Sequence, residues 1–186
     1  GDNDWVDYGT LYQLYEKAHT PWDWVATIFT EAKKLDLPVF ASPFDQTAVD
    51  FLEGLDCPIY KIASPEITDV GLIEACARTG KPIIMSTGLA GRTDLDDAVE
   101  VVRSYGVPMM ILKCVSAYPT PIKDMNLATI PWLKEVYGCS VGLSDHTLGP
   151  EASYAATVLG AKMIEKHFKL PDDIISVDAA FSMPLD

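Results

Sequence analysis

The sequence is poor in basic residues. Fourteen Lys and Arg stand against 27 Asp and Glu, for a formal net charge of -13. No dense Lys/Arg cluster appears, which argues against a nucleic-acid surface. The acidity itself speaks only for solubility. An anionic ligand must therefore be met by a few lysines, backbone N–H groups and a metal. Long apolar runs are also missing. Nothing approaches the roughly 18 consecutive apolar residues of a membrane helix, so no membrane partner is expected. No basic stretch followed by an apolar one opens the chain, so no secretion signal is visible. Neither GxGxxG nor the phosphate-loop pattern GxxxxGK[ST] occurs, which weakens a nucleotide-binding reading. Cysteine is sparse and never paired as CxxC: Cys57, Cys76, Cys114 and Cys139 are widely spaced. They read as reduced core thiols of a cytoplasmic protein.

What is present is a repeat of short apolar runs and amphipathic runs. The apolar runs are Pro38–Ser42, Ile59–Ser64, Pro82–Thr87, Met109–Ser116, Ser140–Ser144 and Lys162–Phe168. Each has the length of a buried strand. Helical segments are expected at about 21–35, 46–54, 69–79, 93–105, 126–137 and 150–160, with Thr93 as an N-cap. Residues 1–20 read as a loop plus a short helix. Gly80, Gly106, Gly138 and Gly160 follow helical stretches, where a left-handed residue closes a helix. Alternating strands and helices imply a parallel α/β sheet with both faces covered.

Polar residues choose between an open sheet and a closed barrel. Five runs end in a hydroxyl residue: Ser42, Ser64, Ser86/Thr87, Ser116 and Ser144. The sixth ends in Lys166-His167. Functional groups at every strand end describe a barrel mouth, whereas an open sheet gathers them at one crevice. Six strands do not close an eight-strand barrel, so the expected fold is an incomplete parallel (β/α)8 TIM barrel.

Three groups of residues carry potential chemistry. His146 and His167 sit at two strand ends. They read either as a metal-binding pair, suited to transition ions better than to Mg, or as one core and one hydrogen-bonding histidine. Lys61, Ser64 and Glu66 cluster in YKIASPE. A lysine inside an apolar strand needs an anion or a carboxylate partner. Strict strand alternation puts Lys61 and Ser64 on opposite faces, so a twist is needed for them to converge. Glu66 just beyond is a candidate acid/base or hydroxyl acceptor. The loops SPFD, STG and SAYPTP offer hydroxyls and backbone N–H groups to a phosphate, although ordinary turns use the same residues. Asp145 and Glu165 adjoin the histidines, either orienting the imidazoles or forming ion pairs. Trp22, Trp24 and Trp132 read as packing residues, His19 as a solvated or capping side chain, and Asp94, Asp96 and Asp97 as a solvated helix start.

The segments YKIASPEITD, KPIIMSTG, KCVSAYPTP, VGLSDHTLG and GAKMIEKHF, in this order, resemble the sialic acid synthase family. The resemblance runs from about Leu11 to Ser182. It implies a (β/α)8 barrel followed by a small antifreeze-protein-like domain, with this chain corresponding to strands three to eight. Strands one and two, with a Glu and a Lys, and the antifreeze-like domain, with an Arg, are absent from these 186 residues. The resemblance implies a homodimer for the full-length protein. It also implies a divalent metal, Mn2+ or Mg2+, on His146 and His167. Phosphoenolpyruvate contacts are implied at Lys61, Ser42, Ser64, Ser86, Ser116 and Ser144, with Ser116 standing where sialic acid enzymes more often carry Asn. Amino-sugar contacts are implied at Phe44, Glu66, Tyr118 and Asp178. The implied reaction is condensation of phosphoenolpyruvate with an open-chain amino-sugar, with Glu66, Lys61, His146 and His167 as the catalytic group. The segments LYQLYEKAHTPWDW and SVDAAFSM look like the pseudaminic acid branch, with N-acetylmannosamine as the substrate of a neighbouring branch. Two competing readings remain. Lys61, Lys113 and Lys166 near strand ends keep a Schiff-base aldolase in play, and a partial barrel can also serve as a binding module.

Overall fold

The computed structural model describes residues 9–172 and 176–185. Its helices arise where the sequence expects them. After a short helix α1 (Leu11–Ala18), α2 spans Trp22–Lys34, α3 Gln46–Glu53, α4 Val70–Arg78, α5 Arg92–Ser104, α6 Thr129–Tyr137 and α7 Glu151–Val158. Side-chain oxygens start several of them. The Asp45 carboxylate accepts the Ala48 N–H at 2.9 Å and Asp69 accepts that of Leu72 at 3.0 Å, so two orphan amides are satisfied locally. In α5 the expected cap, Thr93, lies inside the helix. The cap is Gly91, whose N–H donates to the Asp94 carboxylate at 2.8 Å. Asp94 thus works as a cap, while Asp96 pairs with Arg92. Helix α6 stops at Gly138, whose φ of 58° suits a residue without Cβ.

The strands are β1 (Tyr60–Ile62), β2 (Ile83–Ser86), β3 (Met109–Cys114), β4 (Ser140–Asp145) and β5 (Ile164–Lys166). They form one parallel sheet in sequential order, with Ile62 beside Met85, Ser86 beside Leu112, Cys114 beside Ser144 and Asp145 beside Lys166. Sequential order has no switch point, so this is not a doubly wound sheet. The sheet also curls. In a flat sheet β1 and β5 would lie roughly 19 Å apart, four strand spacings. Yet Lys61 Nζ on β1 is 3.6 Å from Glu165 Oε1 on β5. The two reach each other across a concave face, which makes the sheet an arc of a barrel.

Alternation sorts the two faces. Tyr60, Ile62, Ile83, Met85, Ile111, Val141 and Leu143 pack with Val49, Leu52, Ile73, Val99, Val102, Ile130 and Leu133 in the layer between sheet and helices. Lys61, Ser86, Cys114 and Ser144 occupy the other register, and all four are buried. The concave face therefore narrows around polar groups at the carboxyl ends of the strands.

Two strand expectations need correction. Pro38–Ser42 makes only an isolated bridge, Ala41 to Tyr60, with the Lys61 N–H donating to the Ala41 carbonyl at 3.1 Å. Pro38 and Pro43 bracket the segment, and prolines lack the amide a ladder needs. The last run is split. The β5 ladder ends before His167, and β6 (Phe168–Lys169) pairs with β7 (Met183–Pro184) in a separate small sheet. The tryptophans are less buried than expected. Trp24 is exposed, Trp22 stacks on Phe51 at 4.6 Å, and Trp132 carries the Arg92 guanidinium at 5.3 Å. His19 ends α1, with Nδ1 2.9 Å from the Glu16 carbonyl.

Candidate active site

The mouth of the arc has two sides. On the β1–β3 side, Lys61 is buried, with Nζ 3.3 Å from the Ile62 carbonyl and 3.6 Å from Glu165. After Ile62 the chain leaves the sheet. Ser64 adopts a right-handed helical conformation and opens a 3-10 turn, Pro65–Thr68. This supplies the twist that strict alternation forbids, and it buries Ser64 at the strand end. The Gly88 N–H donates to Ser64 Oγ at 3.0 Å. Three side-chain atoms here are buried and find no hydrogen-bond partner among the described residues: Glu66 Oε2, Ser86 Oγ and Ser116 Oγ. Buried unpaired polar atoms are rare and costly, on the order of 1–3 kcal/mol each. Their concentration at a strand-end mouth leaves three polar atoms open to a polar group from outside the fold. Burial pushes the Glu66 carboxyl above its ordinary range, against the opposing charge of Lys61.

On the β4–β5 side the polar side chains mostly bond one another. Ser144 donates to Glu165 Oε1 at 2.7 Å and lies 3.4 Å from His146 Nε2. His146 Nδ1 is 2.9 Å from the Val115 carbonyl. A carbonyl only accepts, so Nδ1 carries the proton and Nε2 keeps its lone pair. Burial holds His146 below its usual pKa, favouring the neutral, ligating form. The rings of His146 and His167 are 5.4 Å apart, and Tyr118 packs on both at 4.2 and 5.9 Å. Phe181 closes the group, 5.3 Å from His167 and 5.1 Å from Tyr118. Asp178 Oδ2 is 3.5 Å from His167 Nδ1.

The carboxylates beside the histidines do not touch the imidazoles directly. Asp145 accepts from Thr147 N–H at 2.9 Å and from Ser153 Oγ at 2.6 Å, and it pairs with Lys166 at 3.1 Å. Burial pushes its pKa up, but those bonds outweigh it and hold the carboxyl low. Glu165 ties Lys61 to Ser144. Asp178, eleven residues beyond His167, takes the imidazole-orienting position beside it. No sequence signal distinguishes that pairing.

Ser42 and Phe44 follow the Ala41–Tyr60 bridge alongside β1. They line an apolar groove with Trp22, Phe29, Phe40 and Phe51 at the open edge of the sheet, and Phe44 is largely exposed. All four cysteines are free thiols. Cys114 is not a core thiol of the helix layer. It faces the mouth, with Sγ 3.9 Å from His146 Nδ1. The lysines of the aldolase reading also separate: Lys61 faces Glu165, Lys166 pairs with Asp145, and Lys113 donates to the Cys114 carbonyl at 2.8 Å.

Among the described residues, no group of three or more His, Cys, Asp or Glu side chains is arranged to hold a metal ion. The donor chemistry still suits one: a neutral imidazole with a free Nε2 and a second imidazole beside it, the remaining positions open to ligand oxygens and water.

A curved parallel sheet of five strands in sequential order, with polar groups at its carboxyl edge, has the architecture of part of a (β/α)8 barrel. Comparison with known proteins narrows the class. The NeuB family matches residues 2–186, and the chain belongs to that family. It is 52% identical over 178 residues to a pseudaminic acid synthase of Helicobacter pylori, covering 95% of this chain and 52% of that protein. It is 36% identical over 159 residues to an N,N'-diacetyllegionaminic acid synthase of Campylobacter jejuni, covering 84% of this chain and 48% of that protein. The crystal structure of an N-acetylneuraminic acid (sialic acid) synthetase from Leptospira borgpetersenii serovar Hardjo-bovis, in complex with citrate, superposes with a TM-score of 0.89. That pair is 30% identical, over 98% of this chain and 65% of the other. The chain spans about half the length of the curated relatives it matches.

Proposed function

We propose that the protein containing this chain condenses phosphoenolpyruvate with an open-chain amino-sugar, 2,4-diacetamido-2,4,6-trideoxy-altrose. The products are the nine-carbon keto acid pseudaminic acid and inorganic phosphate. One observation carries the reaction class: unpaired buried hydroxyls, Ser86 and Ser116, share a mouth with a buried lysine. Hydroxyl protons and an ammonium are the donors that a phosphate and a carboxylate require. The choice of sugar is supported by the higher identity to a pseudaminic acid synthase than to a legionaminic one.

The C3 carbon of the enol attacks the aldehyde carbon, forming the new C–C bond. Water adds at C2, and the C–O bond to phosphate breaks. Lys61, Ser64, Ser86, Ser116 and Ser144 hold the phosphate and carboxylate, with Ser42 at the edge. Glu66, its carboxyl pKa raised by burial, exchanges protons with the sugar hydroxyl or with water. Tyr118, Asp178 and Phe44 face the sugar. A divalent ion, Mn2+ or Mg2+, held by His146 and His167 would polarise the aldehyde oxygen as a Lewis acid. Catalysis by a homodimer in the cytoplasm accompanies this reading. Among the described residues no helix is long and apolar enough to cross a membrane.

Phosphate release tests the proposal. The full-length protein is incubated with Mn2+, phosphoenolpyruvate and each candidate sugar in turn. The trideoxy-altrose should support the fastest release, ahead of N-acetylmannosamine and its diacetamido analogue. No release with any amino-sugar sinks the synthase reading. Borohydride added with a keto acid should trap no lysine adduct, and a trapped adduct would restore the aldolase.

A further inference from the structure

Gly88 occupies an unusual place in the mouth. It follows Ser86-Thr87 at the end of β2, and the side chains of two neighbouring strands converge on it. A Cβ at this position would lie 2.3 Å from Ser116 Oγ, 2.8 Å from Ser64 Oγ and 3.0 Å from Cys114 Sγ. Real Cβ atoms do not approach other atoms below about 3 Å. The contacts come from side chains rather than from backbone, so an added methyl displaces the hydroxyls and leaves the sheet ladder intact. The Gly88 backbone also acts directly. Its N–H donates to Ser64 Oγ at 3.0 Å. A hydroxyl that accepts this bond keeps its own proton to donate elsewhere. Ser116 Oγ, next to the same point, is buried and unpaired.

We infer that Gly88 is a positioning residue for the enol-phosphate substrate. Its missing side chain is the space in which the Ser64 and Ser116 hydroxyls stand together. Its amide turns the Ser64 proton outward to the ligand. The bound group is an anion of the phosphate-ester or carboxylate class, met by two or three hydroxyl protons and the Lys61 ammonium. The inference rests on the synthase reading for the identity of that anion, but not for its charge.

The test measures binding of phosphoenolpyruvate, and of inorganic phosphate, to the full-length protein by calorimetry without any sugar. Gly88→Ala should weaken phosphoenolpyruvate binding by about tenfold or more, the loss expected when hydrogen bonds to a charged group are misplaced. In turnover, KM for phosphoenolpyruvate should rise while KM for the sugar stays within about twofold, a change too small to reflect a lost contact. The methyl acts largely through Ser116, so the same substitution should cost less in a Ser116→Ala background. It should still cost something, through Ser64. Equal affinity of Gly88→Ala and the native protein overturns the inference. If Gly88→Ala does not fold, the comparison moves to Ser116→Ala against Ser116→Ala with Gly88→Ala, and equal affinity there overturns it. Absence of phosphate release from the native protein sinks the synthase reading while leaving the anion measurement intact. Normal release with unchanged anion affinity in the variant sinks the inference alone.

Discussion

The two sides of the mouth differ in how completely they are bonded. On the β4–β5 side, Ser144, Glu165, Asp145 and His146 each have an internal partner, and rings pack around His167. On the β1–β3 side, Glu66, Ser86 and Ser116 each present a buried atom without one among the described residues. The first side holds its groups in place by internal bonds and leaves the His146 Nε2 lone pair open. The second leaves polar atoms open, at a cost in stability that a bound polar group would offset. Substitutions on the two sides should therefore have different signatures, and a uniform response would erase the distinction.

The largest effect is expected on the bonded side. His146→Ala removes the imidazole whose Nε2 is free for a metal. Activity should fall on the order of a thousandfold, the several kcal/mol attributed to a Lewis-acid ion. Mn2+ affinity measured by calorimetry should fall with it, and unchanged affinity would refute the ligand role. Phosphoenolpyruvate binding without metal should survive. Lys61→Met is the mirror experiment. It should weaken phosphoenolpyruvate binding by about 10- to 100-fold, the range for losing a charge-assisted bond, and leave Mn2+ affinity in place. If each variant loses both ligands, the two sides are not separable.

Stability sharpens the comparison at smaller amplitude. Ser144→Ala deletes a donor to Glu165 at 2.7 Å, and should cost about 1 kcal/mol. Ser86→Ala and Ser116→Ala delete hydroxyls that find no partner among the described residues. Both should leave stability unchanged or raise it by up to about 1 kcal/mol, while weakening phosphoenolpyruvate binding. Urea midpoints for the three variants decide it. A loss at Ser86 equal to that at Ser144 would mean that Ser86 is not held empty for a ligand.

The sequence made much of this legible. Apolar runs ending in hydroxyls located four of the five strand ends of the main sheet, and the helices fell within a few residues of their expected spans, because burial on both faces leaves a strong periodic signal. Thr93 failed as a cap because Gly91 and Asp94 close the helix through a backbone amide, which composition does not reveal. The segment Pro38–Ser42 read as a full strand because apolar content does not report whether a neighbour is bonded on both sides. Within the site, Lys61, Ser64 and the two histidines were visible as polar residues in apolar strands. Gly88 and Phe181 were not, since their contributions are an empty space and a distant ring contact. The Lys61–Glu165 pair was hidden for a related reason: it spans the barrel interior, joining residues 104 positions apart in the chain.

The smallest expected effect is a pH dependence at Glu66. Burial raises its carboxyl pKa in the fold, so between the unfolded value, about 4.3, and the folded value the native chain holds a proton that the unfolded chain has lost. Stability then falls as pH rises through that window and is flat above it. The stabilising share is fully present below the unfolded pKa. Glu66→Gln carries no titrating proton and loses this slope. Relative to the native protein, the variant should gain stability between pH 4 and neutrality, with nearly equal stabilities at pH 4. Urea unfolding of both proteins at the two pH values measures the difference. A native protein that instead gains stability over this window relative to Glu66→Gln would show that the carboxylate is well bonded in the fold. Glu66 would then belong with the completed side of the mouth rather than with the side that waits for a ligand.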